Sequence, residues 1–170
     1  MKDILLVDGY NIIGDWPELK TLREKNLAEA RDRLINSMAE YQAFKGWEVK
    51  VIFDAHMVSG TGRQYNDYLL DVIYTKENET ADERIEKLVG ELKNIETRVH
   101  VATSDYAEQS AAFGSGALRK SARELRVEME LVEKSISKRV REQNSIEKTS
   151  NFPLSEEIAE IFDKWRRGGR

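Results

Sequence analysis

Cysteine is absent from the 170 residues, which excludes disulfides and every thiolate-held zinc or iron–sulfur centre. Histidine occurs twice, and the two do not fit a catalytic pair. His100 alternates with Val99 and Val101 in a strand-like run, as a packed, hydrogen-bonded histidine would. His56 follows Asp54-Ala55 in a loop, where a phosphate or base contact is its other reading. Neither a Walker loop nor GxGxxG occurs, so the standard phosphate cradles are missing and no organic cofactor is expected. No apolar stretch approaches the roughly 20 residues that span a bilayer. Met1-Lys2-Asp3 leads straight into an apolar run, without the basic-then-apolar order of a signal region. A cytoplasmic protein with no membrane partner is the expectation.

What is present suffices for one core: 40% of the chain is hydrophobic and 34% charged. The net charge of −4 speaks mildly against a general nucleic-acid binder, but it is unevenly spread. Leu118 to Arg141 holds eight bases against four acids, so this segment is +4 and the remainder −8. Such asymmetry can carry a phosphate-binding face inside an acidic protein.

Strand-like and helix-like segments alternate, the pattern of a mainly parallel sheet covered by helices. Strands are expected at Ile4–Val7, Val49–Phe53, Val72–Tyr74 and Val99–Ala102. Asn26 with Glu29, and Thr80 with Glu83, have the spacing of capping boxes. A helix closed by Gly46 follows the first, and an amphipathic helix follows the second. Ser59–Asn66 reads as a loop with two glycines, and a short helix is expected over Asp105–Phe113. From Leu118 to Val140 an apolar stripe at steps of three and four predicts one long helix, or two with a break. Asn144–Pro153 looks like a linker before a last amphipathic helix around Ile158–Trp165. The division expected is therefore a domain over 1–143 and a linker plus C-terminal helical extension over 144–170.

Three acids carry the chemistry. Asp8 ends the first strand, Asp105 follows the fourth, and Asp82 lies in the first turn of the helix between them. In open α/β sheets, ligands bind outside the carboxyl ends of the strands. Each acid alone also reads as a turn former or a helix-start residue that complements the dipole, with Ser104 as cap beside Asp105. Gathered together, they would repel one another unless a cation neutralised them. All-oxygen ligands suit Mg²⁺ or Mn²⁺, and such an ion serves phosphodiester chemistry. Gly9 lets the backbone turn after the strand, and Asn11 can return its amide to the same mouth. Asp54 and Glu79 are candidates for supporting the ion or holding a second one, with turn and loop acids as the plain alternative.

The basic segment places Arg119, Arg123 and Arg126 at i, i+4 and i+7 of the expected helix. Lys134, Lys138 and Arg141 repeat that spacing, and Lys120 and Arg139 complete the bases. They form either a solvated face of Glu–Arg pairs or a track for an RNA backbone. Trp16, Tyr65, Tyr68 and Tyr106 could stack on single-stranded bases, with core packing as the alternative.

Five ordered motifs resemble the YacP-type NYN domains, relatives of the PIN-domain nucleases. They are Val-Asp-Gly-Tyr-Asn at 7–11, Phe-Asp-Ala at 53–55, Thr-Lys-Glu-Asn-Glu-Thr-Ala-Asp-Glu at 75–83, Ala-Thr-Ser-Asp-Tyr at 102–106 and Gly-Ala-Leu-Arg-Lys-Ser-Ala at 116–122. The resemblance implies a PIN-like three-layer α/β fold. It also implies a metal-dependent endoribonuclease in which Asp8, Asp82 and Asp105 hold the ion beside Asn11. Its closest kin imply mRNA as substrate, cut in the ribosomal A site, and so the ribosome as partner. The rival expectation is a non-catalytic RNA- or ribosome-binding factor whose acids are structural caps. A phosphatase of the haloacid dehalogenase type would need a second Asp two residues after Asp8, where Tyr10 stands.

Overall fold

The structure, a computed structural model, describes residues 1–55 and 70–150, with side chains to residue 145. His56, the loop expected at Ser59–Asn66, Tyr65, Tyr68 and the helix expected near Ile158–Trp165 lie outside these residues. Five strands form one all-parallel sheet: β1 (Lys2–Asp8), β2 (Glu48–Phe53), β3 (Asp71–Tyr74), β4 (Thr97–Thr103) and β5 (Leu118–Ser121). Their order is β3-β2-β1-β4-β5. The α/β class expected from the alternation is therefore what the chain adopts.

β1 is continuously apolar because it is central and covered on both faces. Successive side chains point to opposite sides. Ile4 and Leu6 join Ile52, Val99 and Val101 beneath α4 (Ala81–Leu92) and α5 (Tyr106–Gly114). The opposite layer holds α1 (Gly9–Asp15) and α3 (Leu27–Lys45), which bury Ile12, Ile13, Leu34, Met38 and Tyr41. The expected caps form. Asn26 Oδ1 accepts from Glu29 N at 3.1 Å, and Thr80 Oγ1 accepts from Glu83 N at 3.2 Å. Gly46 closes α3 with φ +72°.

Three elements differ from expectation. The turn read after Asp8 is the helix α1, followed at once by α2 (Pro17–Lys25). Both are short and offered little periodicity to read. Gly9 serves space rather than φ: a Cβ there would lie 2.2 Å from Phe53 Cε1. Leu118–Ser121 does not open the long helix. It pairs as an edge strand with β4, His100 opposite Leu118 through Thr103 opposite Ser121. Gly116, at φ +95°, turns the chain into that edge, and pairing overrides the helix preference of Leu, Arg and Lys. Helix α6 starts instead at Ala122, where Ser121 Oγ accepts from Glu124 N at 3.1 Å. It runs to Ser150, so the linker expected from Asn144 is helical as far as the description goes. Met1–Glu130 forms one compact unit, and a second begins at Leu131.

Gly9→Ala should destabilise the protein by about 1–3 kcal/mol, the usual range for overpacking a filled core. Phe53 is fully buried against the Tyr10 ring at 4.9 Å and cannot withdraw without disturbing it. Thermal denaturation checks this, and an unchanged Tm would show that the ring yields.

Candidate metal centre

From β1 the chain moves outward to β2 and β3, then returns to place β4 on the other side of β1. A crevice opens at such a reversal, at the carboxyl ends of the two strands. Asp8 is the last residue of β1 and Thr103 the last of β4. α4, running back between β3 and β4, brings Asp82 to this edge in its first turn. α5 leaves the end of β4 and contributes Glu108 from its own first turn.

Carboxylate oxygens of Asp8, Asp82 and Glu108 all lie within 4.8 Å of one another. Asp8 and Glu108 are buried, at 8% and 5% exposed, while Asp82 faces solvent. Two of the three acids expected at this edge thus meet, and the third member is Glu108. Asp105 is instead the N-cap of α5, where its Oδ1 accepts from Ala107 N at 2.9 Å and Glu108 N at 3.4 Å. The cap therefore belongs to Asp105 rather than Ser104. Its charge still reaches Asp8. Asp8 also caps, accepting from Asn11 N at 3.4 Å. Glu108 was not foreseen, although Asp-x-x-Glu at 105–108 has capping-box spacing and such a Glu sits one turn into the helix.

Asn11 ties the two strand ends together. Its Oδ1 accepts from the backbone N–H and hydroxyl of Ser104, and from Thr103 Oγ1 at 2.9 Å. The backbone donor fixes which amide atom is the oxygen. The fully buried Thr103 Oγ1 also stands 2.9 Å from Glu108 Oε2, so Asn11, Thr103 and Glu108 form a connected chain.

Burial, first of all, pushes the Glu108 carboxyl up to about 10; its hydrogen bond and proximity to the Asp8 and Asp82 carboxylates add to this. Burial raises Asp8 as well, against the opposing hydrogen bonds from Glu108 and Asn11 N, with the charges of Asp82 and Asp105 pushing the same way as burial. At neutral pH Glu108 therefore holds a proton that Asp8 shares. Its Oε1 is buried with no hydrogen-bond partner. An orphaned oxygen among three converging carboxylates, with no nitrogen or sulfur ligand, fits a hard divalent cation.

The remaining expected residues are spread more widely. Asp54 follows β2 and is not in the trio; its charge adds to the burial that raises the Tyr10 phenol, while Arg31 opposes from 3.1 Å. Glu79 is buried but committed to Lys87 at 2.7 Å and Arg84 at 3.8 Å, and the Lys87 hydrogen bond holds its carboxyl low. Arg119 and Lys120 lie on β5, not on a helix. Lys120 pairs with Glu128, which also accepts from Tyr41 OH at 2.9 Å. Arg126 lies 3.6 Å from Glu18 and 3.8 Å from Glu130. Arg119 and Arg123 are exposed, as are Lys134, Lys138 and Arg141 further along α6. Trp16 is core, with Nε1 donating to Ala122 O at 2.9 Å, whereas Tyr106 is 75% exposed. His100 is packed as expected, stacked on Trp47 with Nε2 3.0 Å from Asp3 Oδ1. Among the described residues no helix is long and apolar enough to cross a membrane.

The family model of the YacP-like NYN domain matches residues 5–167. Over 166 residues the chain is 58% identical to YacP of Bacillus subtilis (strain 168), with 98% of each chain covered. A crystal structure of Rae1 (YacP) from Bacillus subtilis is similar with a TM-score of 0.78 at 58% identity, covering 98% of this chain and 95% of that one. A tryptophan-to-leucine mutant of the same protein gives 0.73 at 57% identity, covering 98% and 96%.

Proposed function

Because the chain belongs to the YacP-like NYN domain family, a nuclease-like family, we propose that it is a metal-dependent endoribonuclease of mRNA. In this reading it works on the ribosome and cuts in the A site. The observation that carries the hydrolytic part is the trio of Asp8, Asp82 and Glu108 at the β1/β4 switch point. These three hold Mg²⁺ or Mn²⁺, with Asp105 adding charge from the rim while it caps α5. Such a cation, when bound, acidifies a water and neutralises charge on the phosphate under attack.

The chain's own groups supply the rest. Asn11 keeps the ends of β1 and β4 in one relation through Ser104 and Thr103. Thr103 orients Glu108 from within the core. Glu108 gives up its proton as the cation enters, so binding strengthens as pH rises. The exposed Arg119 and Arg123, and separately Lys134, Lys138 and Arg141, bind phosphates of messenger or ribosomal RNA. Lys120 and Arg126, already paired, serve more to fasten the first turns of α6. Tyr106 offers an exposed ring beside the site for stacking on a base.

The test is cleavage of ribosome-bound mRNA and of naked RNA by the purified protein, with Mg²⁺, with Mn²⁺ and with EDTA. Internal cuts that need the cation, with ends mapping to the A site, are expected. Binding to RNA or ribosomes with no cut under any metal would overturn the nuclease reading and leave a non-catalytic binding factor.

A further inference from the structure

A groove of about 210 Å³ starts at the carboxylate trio and runs between α4 and α5. Asp82 and Glu108 stand at its mouth. Ile85 and Val89 form one wall, Ala107 and Ala111 the other, and Glu86 lies on the α4 side. We propose that this groove receives the nucleobase next to the phosphate held at the trio, and that Glu86 selects bases carrying an exocyclic amino group.

The proposal rests on the nuclease reading for what sits at the trio, and on the groove's own chemistry for the rest. No lysine or arginine lines it, while three carboxylates do, so a phosphate is excluded and the occupant is uncharged. The walls are aliphatic and the α5 side is held open by alanines, which admits a flat ring between apolar surfaces, as flipped bases are bound. The volume falls below the roughly 300–1,000 Å³ of drug-sized sites, which suits one ring system and not a nucleotide with its backbone. Glu86 has no hydrogen-bond or ion-pair partner among the described residues. Glu108 Oε1, deeply buried at the mouth, has none either. An ionised carboxylate only accepts, so the base edge it reads must donate. Adenine, cytosine and guanine offer an exocyclic amino donor, and uracil does not. Sequence-specific recognition of unpaired RNA works through such splayed bases.

The experiment uses the full chain with labelled isoleucine, valine and alanine methyls and a short 2′-O-methyl oligoribonucleotide that cannot be cut. Methyl shifts at Ile85, Val89 and Ala111 are expected with the complete oligonucleotide and should vanish with an abasic one. Ala111→Leu, at an exposed helical position, should fill the groove. It should lower kcat/KM on RNA about tenfold while the Mn²⁺-induced rise in Tm stays as in the parent. Glu86→Gln should narrow the preference for cytosine- over uracil-containing sites. Equal methyl shifts with complete and abasic oligonucleotides, or unchanged kinetics for Ala111→Leu, would overturn the base subsite. The methyl arm reads the groove even if the protein cuts nothing, so its failure is distinguishable from failure of the nuclease reading.

Discussion

Asp8→Asn should reduce RNA cleavage by about a thousandfold, the upper range for deleting one preorganised charge-stabilising group, without unfolding the protein. Asn is isosteric, and its oxygen can still accept from Asn11 N as Asp8 does at 3.4 Å. What it removes is a buried negative charge that Asp82, Asp105 and Glu108 all oppose. In EDTA the variant should therefore melt at the same temperature as the parent or higher, since burying an unpaired charge is costly. With Mn²⁺ the order should reverse, because only the parent gains a bound cation that stabilises the folded form by mass action. Single-turnover cleavage and melting curves with and without Mn²⁺ check both halves. Cutting within tenfold of the parent would remove Asp8 from the chemistry.

Glu108 provides the second large effect, and its sign follows from the raised carboxyl. Its ordinary value is 4.5, and in the folded chain it is pushed up to about 10. A group raised on folding contributes stability that is complete below the unfolded value and drains away as pH climbs toward the folded one. The cation-free protein should thus lose stability steadily between those limits. A loss of ~1–2 kcal/mol would appear as a Tm several degrees lower at alkaline pH, given about 2–4 °C per kcal/mol at this chain length. Saturating Mn²⁺ should flatten that slope by taking the proton's place. Glu108→Gln should flatten it too, by keeping the site neutral, while weakening Mn²⁺ binding by about tenfold or more. Melts in EDTA across the pH range, beside Mn²⁺ titrations, provide the measurement. A slope that persists in Glu108→Gln would assign the pH dependence elsewhere.

The sheet was legible wherever burial alone shapes the sequence. Ile4–Val7 and Val99–Ala102 are apolar runs because both faces are covered, and the caps at Asn26 and Thr80 are local events written in adjacent residues. β5 was not legible. Leu118, Arg119, Lys120 and Ser121 continue a helical stripe, and only pairing with His100–Thr103 makes them a strand. α1 and α2 were too short to show a period. Within the candidate site, Asp8 and Asp82 were readable from their places at a strand end and a helix start. Glu108 was hidden because it falls inside a helix, where an acid usually faces water. The cap taken by Asp105 is what turns the next turn of α5, and Glu108 with it, toward Asp8.

The middle strand of the sheet is also the first one made. During translation Asp8 emerges long before its neighbour strand at residues 97–103 and the helix that carries Glu108. A nascent chain shorter than about 108 residues therefore lacks a ligand, one flank of its central strand and the crevice between them. An unfinished copy is thus inert toward the ribosome that is still making it.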